Sequence, residues 1–168
     1  APFFLSYLKH SSQGVLCFIL VVTNMEYMSR SGPIIVIDDD LEDQLILDEI
    51  FKNLNYPNKV IFFSNGQSAV DYLNATNDPP FLIISDINMP GMNGFEIRDK
   101  ICANEKLNSQ YIPYLFFTTS VDKKAVRDAY KMSVQGFFVK PTTMADMQST
   151  LKKIIDYWQE SYAPSHFN

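Results

Sequence analysis

The stretch FLIISDINMPGMNGF, residues 81–95, decides the fold of this chain. It opens with apolar residues that are typical of a strand buried on both faces. The apolar run leads to Asp86, and Pro90, Gly91 and Gly94 follow within eight residues. Proline and glycine interrupt regular backbone, so this strand ends in a sharp turn. A carboxylate therefore lies at the end of a buried strand, where packing alone does not explain its charge.

Five apolar runs of this kind follow residue 33 and alternate with helical patterns. They are Ile34–Ile37, Lys59–Phe63, Phe81–Ser85, Tyr114–Phe117 and Gly136–Val139. The clearest amphipathic helix comes last, with apolar residues at helical spacing from Met144 to Trp158. Strands that alternate with helices predict βαβ units and a parallel sheet covered on both faces. The chain has 168 residues, the usual size of one domain. We therefore predict one α/β domain with an open (βα)5 sheet over residues 34–160, followed by a short tail at 161–168.

The charge and the cysteine pattern exclude several classes of function. The sequence has 14 Lys and Arg residues against 19 Asp and Glu residues, which gives a formal net charge of −5. No Lys/Arg-rich run could follow a phosphate backbone, so we expect no direct binding to nucleic acid. Cys17 and Cys102 form no CxxC or Cys/His pattern that would indicate zinc or a disulfide. The sequence therefore predicts a protein of a reducing, cytoplasmic compartment.

Residues 1–33 differ from the rest and form an N-terminal extension of uncertain structure. Their apolar run, Val15–Val22, is too short to span a bilayer as a helix, which takes about 20 residues. The run has the length of a signal-peptide core, but no A-x-A-like cleavage site follows it. We expect no membrane insertion. Two interpretations stay open: an extra strand or helix packed on the domain, or upstream sequence that precedes a natural start at Met25 or Met28.

Polar side chains follow four of the five predicted strands. These residues are Asp38, Asp39 and Asp40 after the first strand, Asp86 after the third, Thr118, Thr119 and Ser120 after the fourth, and Lys140 after the fifth. In an open α/β sheet the carboxyl ends of the strands meet at one edge, where ligands bind. An Asp after a strand is commonly a helix cap, and we assign that role to Asp40. The other residues converge on one edge and predict a functional site.

The charges of these residues indicate a divalent cation and a phosphoryl group. Carboxylates that lie close together repel one another, so some must take up a proton or a cation must neutralise them. Oxygen ligands without His or Cys thiolate favour a hard cation, and Mg²⁺ suits a phosphoryl-transfer site. Lys140 and the Thr118 hydroxyl are suited to bind phosphoryl oxygens. Asp86 is then left as the nucleophile that forms an acyl phosphate.

The same residues resemble a known family, the receiver domains of two-component response regulators. The motifs are IVIDDD at 35–40, SDINMPGMNG at 85–94, FFTTS at 116–120 and GFFVKP at 136–141. Their order and spacing are similar to those of the chemotaxis regulator, from Ile34 to about Trp158. The resemblance implies a doubly wound, flavodoxin-like fold with a five-stranded parallel sheet in the order 2-1-3-4-5. It also implies a phosphoacceptor signalling protein rather than an enzyme.

The resemblance implies a role for each residue of the site. Asp86 would accept a phosphoryl group from a phosphohistidine on a histidine kinase or a histidine phosphotransfer protein. The ligands of Mg²⁺ would be Asp38, Asp39, Asp86 and the backbone carbonyl of Asn88. Lys140 would pair with the acyl phosphate, and Thr118 would donate to a phosphoryl oxygen. Phe137 takes the position of the family's switch aromatic, which turns inward when the threonine moves towards the phosphate.

Three details of the sequence bear on how this family site would behave here. Thr119 stands where a smaller residue is usual, and its branched side chain would narrow access to Asp86. Phe137 replaces the equally familiar tyrosine, which removes a hydroxyl from the switch position. The Lys140–Pro141 bond is typically cis in the family, so we expect a cis bond.

Two alternatives come from other classes of protein. An aspartyl-phosphate phosphatase would use Asp38 as nucleophile in an Asp-x-Asp motif with Asp40, but it needs a cap element for which the chain has no room. A pseudo-receiver would only bind partners and would not need the intact set of acids, threonine and lysine. We therefore predict a single-domain response regulator that signals by protein contact or passes the phosphoryl group onward. The absence of an output domain after the last predicted helix motivates this prediction.

Overall fold

The computed structural model describes residues 32–161, which include five strands and six helices. The strands are β1 (Ile34–Ile37), β2 (Val60–Phe63), β3 (Leu82–Ser85), β4 (Tyr114–Thr118) and β5 (Gly136–Val139). They form one parallel sheet in the order β2-β1-β3-β4-β5, so the predicted fold class and strand order are confirmed. Each predicted run agrees with its strand to within one residue at either end. The N-terminal extension and the C-terminal tail lie almost entirely outside the described residues.

Six helices connect and follow these strands. They are α1 (Leu41–Leu54), α2 (Gly66–Ala75), α3 (Gly94–Ala103), α4 (Glu105–Asn108), α5 (Lys123–Lys131) and α6 (Met144–Glu160). Asp40 is the N-cap of helix α1, and its side chain accepts hydrogen bonds from the backbone amides of Glu42 and Asp43. The predicted cap role of Asp40 is therefore confirmed. Of the helices between residues 32 and 161, none combines the length and the hydropathy needed to cross a bilayer.

The hydrophobic core divides into two layers, one on each face of the sheet. Side chains of β1 alternate between these layers: Ile35 and Ile37 enter one, Ile34 and Val36 enter the other. Helices α2 to α5 complete the first layer, and helices α1 and α6 complete the second. Because both faces are covered, the central strands are almost entirely apolar, and β3 and β4 carry a hydroxyl residue, Ser85 or Thr118, at their last position. Charged side chains of these strands can therefore reach water only beyond the strand ends.

The strand order brings particular strand ends together. Strands β1, β3 and β4 lie in the middle of the sheet and are fully buried, whereas β2 and β5 form its edges. Ile37 is paired with Ser85 across β1 and β3. Asp38 and Asp86, the next residue of each strand, are therefore neighbours.

The Lys140–Pro141 peptide bond is trans, as is every peptide bond in the described residues, so the expectation of a cis bond is wrong. Trans is the intrinsically favoured form of an X–Pro bond by about 0.5–1 kcal/mol. Lys140 reaches its carboxylate partners from this trans backbone. The position of its side chain therefore does not require the cis form.

Candidate functional site

Three carboxylates meet at the carboxyl ends of β1 and β3. Asp38 is 2% exposed, and Asp39 and Asp86 are half-buried. One carboxylate oxygen from each of the three residues lies within 4.8 Å of the others. The predicted convergence of these acids is present in the structure. Three negative charges this close together, two of them partly withdrawn from water, require compensation by cations.

Lys140 supplies one of those cations. It follows the edge strand β5, and its side chain is almost completely buried. Its Nζ donates to Asp38 Oδ2 at 2.6 Å and to Asp43 Oδ2 at 2.7 Å. The distance from the same nitrogen to Asp86 Oδ2 is 3.8 Å, an ion pair rather than a hydrogen bond. Lys140 is thus held closer to Asp38 and Asp43 than to the predicted phosphoacceptor.

The pKa values of this pair reflect both burial and pairing. Burial raises the pKa of the Asp38 carboxyl above its ordinary value, and the hydrogen bond from Lys140 opposes this rise without cancelling it. Burial is also the largest single influence on Lys140 and lowers its pKa. The hydrogen bonds to Asp38 and Asp43 and the negative charges of Asp38 and Asp86 together outweigh burial, so the pKa of Lys140 ends above its ordinary value. Lys140 is therefore an ammonium group at neutral pH, and negative charge remains in excess around it.

Asp86 is oriented by its own turn. Its Oδ1 accepts a hydrogen bond from the backbone amide of Ile87 at 2.6 Å. Its other oxygen, Oδ2, is the one that faces Lys140. Oδ1 thus fixes the orientation of the carboxylate, while Oδ2 accepts no hydrogen bond from the described residues.

The turn after Asp86 needs its glycines for two different reasons. Gly94 lies so close to the strand end that an added Cβ would be 2.3 Å from the backbone oxygen of Asp86. Gly91 has a φ of +79°, in the left-handed region that favours glycine. Asn88 precedes both glycines and is exposed, and no hydrogen bond from residues 32–161 ends on its carbonyl oxygen. The predicted ligand carbonyl is therefore not used in the fold of this turn.

Thr118 closes β4 with a buried hydroxyl. The residue is 0% exposed, and its Oγ1 has no hydrogen-bond partner within the described part of the chain. Thr119 and Ser120 are exposed, so Thr118 is the only one of the three predicted hydroxyl residues that is buried. A buried hydroxyl is normally paired, and an exception in a native structure calls for a functional explanation.

Phe137 lies in the edge strand β5 and is half-buried. Its ring meets the ring of Phe116 nearly edge-on, with centroids 6.1 Å apart. This contact joins it to the core layer that contains Ile35 and Ile37. Its predicted role as a switch stays a prediction.

Sequence reasoning missed two residues of α1 that belong to this site. Asp43 binds Lys140, and the side-chain amide of Gln44 donates to the backbone oxygen of Asp38 at 2.5 Å. Both lie in the first turn of α1, the helix that Asp40 caps. The predicted cap at Asp40 could have indicated them. A helix that directly follows a strand places the side chains of its first turn near the end of that strand.

Comparison with known proteins agrees with this geometry. The sequence model of the response regulator receiver domain matches residues 34–152, and the chain belongs to that family. It is a signalling phosphoacceptor of two-component systems. The chain is similar to chemotaxis protein CheY-3 of Vibrio cholerae, at 29% identity over 134 residues that make up 77% of this chain and 95% of that protein.

Two further similarities extend the comparison. The probable methanogenesis regulatory protein FilR2 of Methanothrix harundinacea is 26% identical over 129 residues, which are 74% of this chain and 82% of that protein. The structure of the Mn²⁺-bound form of response regulator Rcp1 matches with a TM-score of 0.69 and 26% identity, over 79% of this chain and 97% of that one. Receiver domains of this family bind divalent cations, and Asp38, Asp39 and Asp86 of this chain form a cluster of acids that could hold such an ion.

Proposed function

We propose that Asp86 accepts a phosphoryl group from a phosphohistidine of a histidine kinase or a histidine phosphotransfer protein. The observation that carries this proposal is the cluster of Asp38, Asp39 and Asp86 with Lys140 Nζ at 3.8 Å from Asp86 Oδ2. Asp86 Oδ2 faces the ammonium group of Lys140 but accepts no hydrogen bond from it, whereas Asp38 Oδ2 does accept one. A nucleophilic carboxylate needs such a free oxygen.

The donor set supports Mg²⁺ as the second cation. The proposed ligands are Asp38, Asp39, Asp86 and the backbone carbonyl of Asn88. All of these atoms are oxygens, which hard cations prefer, and the carbonyl of Asn88 has no partner in the described part of the chain. When bound, Mg²⁺ would supply positive charge beside the phosphoryl oxygens.

Asp86, Lys140 and Thr118 each have a separate role in the proposed reaction. An oxygen of Asp86 attacks the phosphorus, the O–P bond forms, and the P–N bond of the phosphohistidine breaks with its electron pair passing to the imidazole. Lys140 balances the charge of the transferred group, and Thr118 donates its hydroxyl proton to a phosphoryl oxygen. Water attack on phosphorus later returns phosphate and a free Asp86 carboxylate. No other substrate is consumed, so the protein acts as a signalling phosphoacceptor and not as an enzyme on a separate substrate.

The phosphoryl group then changes a surface for protein contact. Phosphorylation replaces the single negative charge of the Asp86 carboxylate by about 1.5 to 2 negative charges on the phosphoryl group, at a largely buried edge of the sheet. Thr118 and Lys140 respond to that charge, and Phe137 turns inward as Thr118 moves. The output is contact with a partner protein or onward transfer to a second histidine. A net charge of −5 argues against nucleic acid as that partner.

The test is the gain of one phosphoryl group in the intact mass after incubation with Mg²⁺ and acetyl phosphate. We expect the gain in the unaltered chain and its complete loss in Asp86→Asn. The phosphatase alternative predicts the reverse, with labelling that depends on Asp38 as nucleophile and continues in Asp86→Asn. The structure favours the first outcome because Asp40, the second acid of that Asp-x-Asp motif, caps α1 with its carboxylate. No mass gain in the unaltered chain would favour a pseudo-receiver instead.

A further inference from the structure

Lys140 is shared among three carboxylates, and one of them, Asp43, has no role in the function proposed above. Asp43 lies in the first turn of α1, where the Asp40 side chain accepts a hydrogen bond from its backbone amide at 3.3 Å. Its Oδ2 accepts a bond of 2.7 Å from Lys140, nearly as short as the 2.6 Å bond from Lys140 to Asp38. The ammonium group is therefore tied to α1 and to β1 in the resting protein.

The phosphoryl group on Asp86 would need the same ammonium group. Lys140 has three N–H donors, of which two are already bonded to carboxylates. Its nitrogen is 3.8 Å from Asp86 Oδ2, too far for a hydrogen bond. A phosphoryl oxygen would take the third N–H donor, and the one positive charge of Lys140 would then be divided between the phosphoryl group, Asp38 and Asp43.

The environment of Asp43 makes this competition effective. Its side chain is 24% exposed, and that of Lys140 is 4% exposed, so water screens their attraction only in part. The carboxylate of Asp43 would also repel the negative phosphoryl group on Asp86, because both residues are paired with Lys140. The bond to Lys140 and this repulsion both favour the unphosphorylated protein.

We propose that Asp43 is a positioning residue that competes with the phosphoryl group on Asp86 for Lys140. It thereby limits the stability and the lifetime of the phosphorylated form. This inference rests on the proposed function and adds to it an acid outside the metal and phosphoacceptor set. Removal of the Asp43 charge should lengthen the lifetime of the phosphorylated form. Removal of a residue that assists phosphorylation would instead reduce the amount of that form.

The test measures binding of beryllofluoride, an analogue of the phosphoryl group, in the presence of Mg²⁺. We expect Asp43→Asn to bind it about threefold to tenfold more tightly than the unaltered chain, as for the loss of one competing charge-assisted bond. Hydrolysis of the phosphoryl group after loading with acetyl phosphate should slow by a similar factor. Asp43→Ser, which keeps a small polar group at the start of α1, carries the same expectation if Asp43→Asn does not fold.

Glu42→Gln is the matched control. It removes the same charge from the same turn of α1, but Glu42 is exposed and is not among the carboxylates paired with Lys140. We expect its effect on beryllofluoride affinity to stay below about twofold, since exposed charges are screened.

A second measurement separates positioning from simple charge. In a Lys140→Ala background, Asp43→Asn should lose most of its effect on beryllofluoride affinity, because the two residues act through one contact. A full effect in that background would overturn the positioning role. Equal or weaker binding by a folded Asp43 variant would overturn the inference while the proposed function stands. No beryllofluoride binding by the unaltered chain would overturn the proposed function and this inference with it.

Discussion

At the scale of single residues, the site contains a hydroxyl that the resting fold does not use. Thr118 is completely buried at the end of β4, and its Oγ1 has no partner in residues 32–161. A buried hydroxyl without a hydrogen bond costs about 1–3 kcal/mol. The acid cluster at the neighbouring strand ends offers the explanation, because the proposed phosphoryl group would supply the missing acceptor.

Thr118→Val tests this explanation, because valine has nearly the same shape and lacks the hydroxyl. We expect the free energy of unfolding to stay constant or to rise by about 1 kcal/mol, since an unpaired polar group is removed. Affinity for beryllofluoride with Mg²⁺ should fall about tenfold or more, as for a lost hydrogen bond to a charged group. Urea unfolding and titration of the same preparation measure the two effects.

The control for Thr118→Val is the same substitution at a threonine with partners. Thr143 caps α6, where its Oγ1 accepts from the Asp146 amide at 3.2 Å and donates to the Asp146 carboxylate at 2.7 Å. Thr143→Val should lower the free energy of unfolding by about 1 kcal/mol and leave beryllofluoride binding unchanged. Equal destabilisation by the two substitutions would show that the Thr118 hydroxyl is already paired in the resting protein.

At the scale of elements, one buried arginine joins α3 to the end of α5. Arg98 is 8% exposed, and its guanidinium donates to the backbone oxygens of Met132 at 3.3 Å and Ser133 at 3.1 Å. Its carbon Cζ lies 5.5 Å from the centre of the Tyr114 ring. Carbonyl oxygens at a helix end have no partner within the helix, so Arg98 satisfies them from a neighbouring helix.

Arg98→Leu should lower the free energy of unfolding by about 1–3 kcal/mol, because the half-buried carbonyl oxygen of Met132 loses its donor and that of Ser133 keeps only the bond from Gln135 Nε2. Arg127→Leu is the comparison. Arg127 is exposed, and its Nε bonds only to Lys123 of the same helix, at 3.2 Å. Its substitution should change stability by less than about 0.5 kcal/mol. Chemical denaturation of both variants checks the difference, and an equal effect would contradict a stabilising link between α3 and α5.

At the scale of the whole molecule, negative charge is concentrated at one edge of the sheet. The chain carries a net charge of −5, and four carboxylates, those of Asp38, Asp39, Asp43 and Asp86, lie around a single ammonium group. Like charges held together by folding separate when the chain unfolds. One ammonium group does not balance four carboxylates, so the site lowers stability unless a further cation binds.

Mg²⁺ should raise the free energy of unfolding, by about 2.7 kcal/mol at one hundred times its Kd. Asp39→Asn should abolish this response, and without Mg²⁺ it should raise the Tm because one repelling charge is gone. Asp99→Asn, at an exposed acid of α3, should leave the Mg²⁺ response intact. Thermal unfolding with and without Mg²⁺ measures all three proteins. A Tm that does not respond to Mg²⁺ in the unaltered chain would contradict the proposed metal site.

Most of the fold could be predicted because its signals are local. Each strand is a short apolar run, and the predicted runs agree with the observed strands to within one residue at either end. The cap at Asp40 could also be predicted, since an acid directly before a helix bonds to that helix's first amides. The positions of Asp86, Thr118 and Lys140 at one edge followed from the strand order, which the structure confirms.

The sequence by itself thus determined the sheet, its layers and the acids at its carboxyl edge, because these depend on periodicity and on strand ends. Only the tertiary structure decided how Lys140 divides its bonds, that Asp43 takes one of them and that Arg98 joins two helices. Asp43 and Lys140 are 97 residues apart, and Arg98 and Met132 are 34 apart. Contacts of this kind depend on how helices pack on the two faces of the sheet, and no pattern of neighbouring residues encodes that packing.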